Sequence, residues 1–287
     1  MSKPRRRPPR AWIGVPKSVD PSELLGPRGL TEDVLAGTEE ADDQADDMEE
    51  LEEKGNPAVA LSDPAANAAQ LAADAFHRSL LSQERLARIE SVIETRLHTV
   101  TVVLDRLIDP HNVAAILRTA EGMGIGTAQL VLHHEQDAVA HRRVTKDADK
   151  WLSLSQAKTG AEAARALVAQ GFAVYAGHLC PEAILVSDLR VDQPIALLFG
   201  NEHEGPSAET LAACTGSFRI PMAGFTQSFN VSVAAAIAMF SVAQKRRAHL
   251  GRAGDLTAAQ KQALWSRFLR LAAKLARRLR RPVPGIL

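Results

Sequence analysis

"TVTVVLDRLIDPHNVAAILRTAEGMGIGTAQLVL", residues 99–132, decides the fold. Its first seven residues, 99–105, are β-branched or apolar almost throughout and predict a strand. Residues 112–125 space their apolar side chains as a helix does and close in glycines, which end helices because they accept a left-handed backbone. "AQLVL", 128–132, predicts a second strand. A helix between two strands is the unit from which parallel sheets are built, because parallel neighbours need a crossover.

The alternation continues outward. Downstream come "AEAARALVAQG" as a helix, "FAVYAG" and "IALLFG" as strands, "SAETLAACTG" as a helix and "FRIP" as a strand. An apolar helix from Asn230 and a basic helix over about 258–280 follow. Upstream, "QERLARIESVIETRL" puts Leu86, Ile89, Ile93 and Leu97 on one helical face, and order is expected from about Gln83. Strands that are apolar throughout are covered on both faces. The expected fold class is α/β, a mostly parallel sheet with helices on both faces.

Charge is balanced overall, 34 acidic against 34 basic residues, so its placement carries the information. Residues 39–53 hold ten acids and no base, within a stretch, 1–75, that is proline-rich and poor in regularly spaced large apolar residues. Such a segment cannot bury enough surface to offset its ordering entropy. It is expected to be a disordered extension; its one apolar patch, "AWIGVP", has no assigned role. From Lys245 to Arg281 there are twelve Lys/Arg and a single acid, Asp255. Residues 248–287 are therefore expected to form a basic helical extension whose cations suit nucleic-acid phosphates. The candidates there are Arg267, Arg270, Lys274, Arg277, Arg278, Arg280 and Arg281, with Arg142, Arg143 and Lys146 as weaker ones.

Two cysteines without a CxxC, and no histidine cluster, argue against a structural metal or a disulfide framework. The longest apolar run, Val231 to Ala243, is well short of a membrane span. The Arg-rich start lacks the apolar core of a signal peptide. A cytoplasmic protein with no metal and no membrane contact is expected.

Ligands of such sheets bind beyond the carboxyl ends of the strands, which directs attention to loops 105–118, 199–206 and 220–230. In the first, Pro110 holds Asp109 extended, so a helix begins after it. Asn112 stands where an N-cap would, and Arg118 follows six residues on, between apolar neighbours. A capping asparagine and a surface arginine explain the pair as well as an anion-binding role does. In the second, "GNEHEG" (200–205), Gly200 permits close approach of a ligand, Gly205 supplies an unusual dihedral, and Pro206 is expected in the first turn of the next helix. In the third, Thr226, Gln227, Ser228 and Asn230 crowd where one cap would suffice. That crowding predicts a polar loop buried at the mouth of a closely packed helix. "GMGIG" (122–126) is no dinucleotide loop, since it follows a helix and lacks the third-glycine spacing.

Together these segments resemble the SpoU family of RNA 2'-O-ribose methyltransferases, in the SPOUT superfamily. Asn112 with Arg118 is similar to the family's first motif, "GNEHEG" to its second, and "IPMAGFTQSFNVSVA" (220–234) to its third. "PHNVAAILRTAEGMG", "ADKWLSL" and "VAAAIAMFSVAQKRR" bring it nearest the TrmH type, the tRNA guanosine-18 2'-O-methyltransferases. Phe229 stands where the family usually has leucine. The resemblance spans about 84–280 and implies a methyltransferase domain over 84–247 with a C-terminal trefoil knot, working as a homodimer. It implies S-adenosylmethionine as methyl donor, contacted at Gly177, Gly200, Ile220 and Phe229. It implies active-site roles for Asn112, Arg118, Glu202, Ser228 and Asn230. The implied substrate is the 2'-hydroxyl of guanosine-18 in tRNA; 23S rRNA, a tRNA wobble ribose, or a catalytically silent RNA-binding protein are the alternatives.

Overall fold

In a computed structural model the described residues are 64–132 and 148–280, with side chains for 68–132 and 150–277. Seven strands form one sheet: β1 (Leu97–Asp105), β2 (Ile125–Val131), β3 (Ser153–Ala157), β4 (Ala173–Gly177), β5 (Ile184–Leu185), β6 (Ile195–Gly200) and β7 (Gly216–Arg219). Their order is β3-β2-β1-β6-β4-β7-β5, and every pairing is parallel. The helices are α1 (Pro64–Ser79), α2 (Gln83–Glu94), α3 (Pro110–Gly122), α4 (Gly160–Ala169), α5 (Ala208–Ala213), α6 (Val231–Leu250) and α7 (Ala258–Arg280).

The apolar strands are apolar because both faces are covered. On one side Val100, Val102, Leu104, Leu197 and Phe199 pack against Val113, Ile116 and Leu117 of α3 and Ala235, Ala238, Met239 and Val242 of α6. On the other, Val103, Val174, Ala176, Ala196 and Leu198 pack against Ala163, Ala164 and Leu167 of α4. Alternate residues of each strand thus serve opposite layers, as the two-residue repeat requires. A third cluster joins α2 to α7 through Leu86, Ile89, Ile93, Phe268, Leu269 and Ala272.

Several expectations change. Helix α3 runs Pro110–Gly122, and a turn through Met123 and left-handed Gly124 (φ 77°) releases the chain into β2 at Ile125. The N-cap of α3 is Asp109, whose carboxylate accepts from His111 N, so Asn112 lies within the first turn. Pro206 precedes α5, which Ser207 caps. The chain is helical from Pro64, earlier than Gln83: α1 docks on α7, where Asp74 accepts hydrogen bonds from Gln70 and Ser266. Strand β3 is an edge strand with mostly exposed side chains and no apolar alternation to betray it. Residues 1–63, Arg142, Arg143, Lys146 and Arg281 lie outside the described residues. Among the described residues no helix is long and apolar enough to cross a membrane.

Part of the basic C-terminal segment is internal scaffolding. Lys245 donates to the Ser187 and Leu189 carbonyls, and Arg246, nearly fully buried, to Val191 O, Gln193 O and Thr99 Oγ1. Arg247 donates to Thr95 O, Met123 O and Ala253 O. These charges satisfy carbonyls at strand and helix ends. The single acid of that segment, Asp255, is buried and accepts from His98 N and from the amide and hydroxyl of Thr99, fixing the start of β1.

Candidate active site

The parallel register brings the carboxyl ends of β1, β2 and β6 level, since Asp105 is paired with both Val131 and Gly200. The segments leaving these strands therefore begin side by side. After β6 the chain makes a tight turn in which Gly205 N bonds Asn201 O, with Gly205 left-handed (φ 69°). Gly200 is required by that turn, because a Cβ there would lie 2.4 Å from Pro206 N and 2.7 Å from Gly205 C. Sequence reasoning put a ligand in that space; the chain itself fills it.

Within the turn, buried Asn201 accepts from His203 N (2.9 Å) and Glu204 N (3.1 Å) and donates to Arg106 O (3.0 Å). This aims Glu202 at the start of α3. The Glu202 carboxylate accepts from Ile108 N (2.9 Å), Asp109 N (3.4 Å) and the Asn112 side-chain amide (3.0 Å). Asn112 Oδ1 accepts in turn from the Asn230 amide (3.1 Å), and Asn230 Oδ1 caps α6 by accepting from Ser232 N (2.9 Å). One continuous chain of side chains thus ties the three loops together.

The carboxyl of Glu202 responds to this setting. Partial burial pushes its pKa up, but the donors at Ile108, Asn112 and Asp109 together outweigh burial and hold it below the ordinary carboxylate value.

The other candidate residues are placed less uniformly. Arg118 lies on the exposed face of α3, about 9 Å along the helix axis from Asn112 and about a third of a turn away in direction. No hydrogen bond or ion pair joins it to a described residue, so the single chain does not draw it onto the Glu202–Asn112–Asn230 line. Ser228 is exposed, as is nearly the whole segment 223–230; Phe225 is 108% exposed. The expectation of a buried third loop is corrected: a single chain leaves it uncovered. Gly177, Ile220 and Phe229 sit at or beyond the ends of β4 and β7. Beside Gly177 the rings of Phe199 and Phe218 meet edge to face, 6.1 Å apart, and a Cβ on Gly177 would lie 3.4–3.5 Å from them. Both rings are buried in the core, so the missing Cβ of Gly177 lets the end of β4 pack closely on them.

On α7, Arg267 is committed to the fold: it donates to Ser153 Oγ, Lys150 O and Leu152 O. Arg270, Lys274 and Arg277 are exposed along one stripe, and the Arg277 guanidinium lies 5.2 Å from the centroid of the Phe76 ring. The side chain of Arg278 lies outside those described.

Sequence reasoning missed the two backbone donors at Ile108 and Asp109, which no side-chain pattern announces, and the tie from Asn201 to Arg106. Asn201 was visible inside the quoted "GNEHEG". It also missed an exposed apolar stripe on α6, formed by Val233 (47% exposed), Ile237 (36%) and Phe240 (56%).

Comparison with known proteins gives a consistent answer. Residues 99–240 match the model of the SpoU rRNA Methylase family. The chain is 34% identical to a tRNA (guanosine(18)-2'-O)-methyltransferase of Borreliella burgdorferi, over 58% of this chain and 76% of that protein. It is 38% identical to the protein of that name from Thermus thermophilus, over 59% and 87% respectively. The crystal structure of the TrmH/SpoU tRNA modifying enzyme of A. aeolicus superimposes with a TM-score of 0.59 at 26% identity, covering 66% of this chain and 97% of that one.

Because its folded pKa is depressed, Glu202 contributes stability that is full above the unfolded carboxylate value of about 4.3 and is lost as pH falls through the folded pKa. Thermal melts of wild type and Glu202→Gln should therefore differ most near neutral pH and converge toward pH ~3. A difference independent of pH would contradict the ionised, triply bonded carboxylate.

Proposed function

The chain belongs to the SpoU rRNA methylase family, and on that premise we propose that it is an S-adenosylmethionine-dependent methyltransferase acting on the 2'-hydroxyl of guanosine-18 in tRNA. The observation that carries the reading is the side-chain line Glu202–Asn112–Asn230, which holds three strand-end loops at one place. The two relatives described above bear the name of that activity.

The donor supplies an electrophilic methyl on a sulfonium, so the protein has to position and activate a weakly acidic hydroxyl. Gly177 at the end of β4, Ile220 just past β7 and Phe229 just before the cap of α6 would hold the donor through their backbone groups, with Gly200 shaping the turn after β6. Asn112 and Glu202 would orient the ribose, and Asn230 and Ser228 would brace the third loop. As a guanidinium, Arg118 offers hydrogen-bond donors and no acceptor. Its role in this reading is to stabilise the alkoxide that develops as the 2'-oxygen takes the methyl, while the hydroxyl proton passes to water or a neighbouring phosphate.

Arg118 and the third loop are both open in one chain, and beside them α6 shows its stripe of Val233, Ile237 and Phe240, with Ile108 and Phe225 exposed nearby in sequence to the two site loops. An apolar stripe at helical spacing, next to polar loops with nothing over them, fits a second copy of this chain. The homodimer would bury the stripe and enclose the loops. The knot belongs to the same reading: β6 inserts between β1 and β4, β7 lies beyond β4, and the chain then returns to lay α6 over β1 and β6. The stripe Arg270, Lys274 and Arg277 would meet tRNA phosphates, with Arg267 holding α7 in place for them.

Purified protein given labelled S-adenosylmethionine and unmodified tRNA should place a methyl on the ribose of guanosine-18, located by nuclease digestion and mass spectrometry. Label at a wobble ribose, no label at all, or preferential labelling of rRNA when it is offered beside tRNA would overturn the assignment. Arg118→Ala should reduce turnover by about 10²–10³-fold with donor binding unchanged by calorimetry. Ile237→Asp with Phe240→Asp should sediment as a monomer and lose activity; a dimer surviving that pair would refute the proposed interface.

A further inference from the structure

Among the described residues, Arg106 is the one non-glycine with a left-handed backbone, φ 56°. Such a conformation is uncommon for a side chain other than Asn, Asp or His, and it persists only where the surroundings over-determine it. Three bonds do so here. Arg106 N donates to Val131 O at the end of β2 (2.9 Å), Arg106 O accepts from the Asn201 amide (3.0 Å), and Arg106 Nε donates to Asp105 Oδ1 (3.3 Å).

The position is the first beyond β1, between β2 and β6, and Ile108 two residues on donates to Glu202. The strained residue therefore lies on the rim of the candidate site. A glycine or asparagine would make this turn with less strain, so an arginine here points to a use for its side chain. One use is evident: Asp105 is fully buried, holds a second bond from Thr210 Oγ1 (3.3 Å), and takes Arg106 Nε as its charged partner. Burial, with the Asp105 charge adding, also pushes the nearby Cys214 thiol up to about 11. Neutralising Asp105 occupies one of five guanidinium N–H groups. Neither terminal nitrogen has a partner among the described residues, and the side chain is 31% exposed. Pinned at Nε by a buried carboxylate, the guanidinium is held in one orientation, with its outer edge available to an anion.

We infer that Arg106 binds a phosphodiester oxygen of the RNA strand beside the ribose at the site. This rests on the proposed RNA substrate. The same chemistry could serve the donor's carboxylate, and the experiment separates the two. Arg106→Asn and Arg106→Gly both remove the guanidinium while accepting the left-handed backbone; Arg106→Lys keeps the charge. Binding of unmodified tRNA is measured across salt concentrations, donor affinity by calorimetry, and folding by thermal melts.

The inference predicts that Asn and Gly raise the tRNA KM and Kd about tenfold and lower the slope of log K against log salt by about one. Donor affinity stays at the wild-type value, and Lys recovers most of the RNA affinity. Weakened donor binding with an unchanged salt slope would overturn the inference in favour of the donor's carboxylate. Lowered melting temperature with wild-type RNA binding would overturn it in favour of a purely structural pairing with Asp105. Wild-type protein that fails to methylate tRNA would instead sink the proposed function, a result independent of either variant.

Discussion

The Asn112 side chain gives to one neighbour and takes from another, and the site depends on that asymmetry. A carboxylate can only accept, so Glu202 obliges Asn112 to present its NH₂ group. The Asn112 oxygen must then face Asn230, which obliges Asn230 to present its own NH₂ group. The Asn230 oxygen is left to cap α6 through Ser232 N. One carboxylate thereby sets the orientation of two amides and the entry of a helix. Aspartate at position 112 would be nearly isosteric yet would put two carboxylates face to face, with no donor between them.

That line is sustained by packing far larger than itself. Helices α3 and α6 bury small and branched side chains against one face of the sheet, which fixes the ends that carry Asn112 and Asn230. At the far end of α3, fully buried Arg96 pairs with Glu121 and lies against the Phe268 ring of α7. Burial lowers the Arg96 pKa and Glu121 works against that. The helix bearing the proposed phosphate ligands is thus joined to the helix bearing Asn112 and Arg118. The third loop and the outer face of α6 lack cover among the described residues, and they are the parts assigned to a second copy.

The layered parallel fold was legible because its strands, such as "IALLFG", are apolar throughout and its helices end in recognisable breakers. Boundaries were harder: Asn112 looked like a cap because Asn is a good one, yet Pro110 starts the helix two residues earlier and Asp109 caps it. Strand β3 and helix α1 were missed for opposite reasons. The first is an exposed edge strand without alternation, and the second was masked by a polar, proline-rich neighbourhood. Of the site, Glu202, Asn112 and Asn230 stood out through the resemblance of three motifs to a known family; read alone, each also fitted a cap or a solvated loop residue. Their bonding order was not legible, because it rests on backbone amides at Ile108 and Asp109 and on a register that only the folded sheet supplies. The basic C-terminal stretch was over-read, since charge content does not distinguish Arg267, bonded to carbonyls, from exposed Arg270.

If the three loops act as one unit, removing either end of the line disables the same device. The direct test is a double-mutant cycle on kcat/KM for methyl transfer to tRNA, with Glu202→Gln and Asn230→Ala singly and combined. The account predicts strong non-additivity, the double variant losing scarcely more than the worse single one. Losses that multiply as independent factors would contradict it.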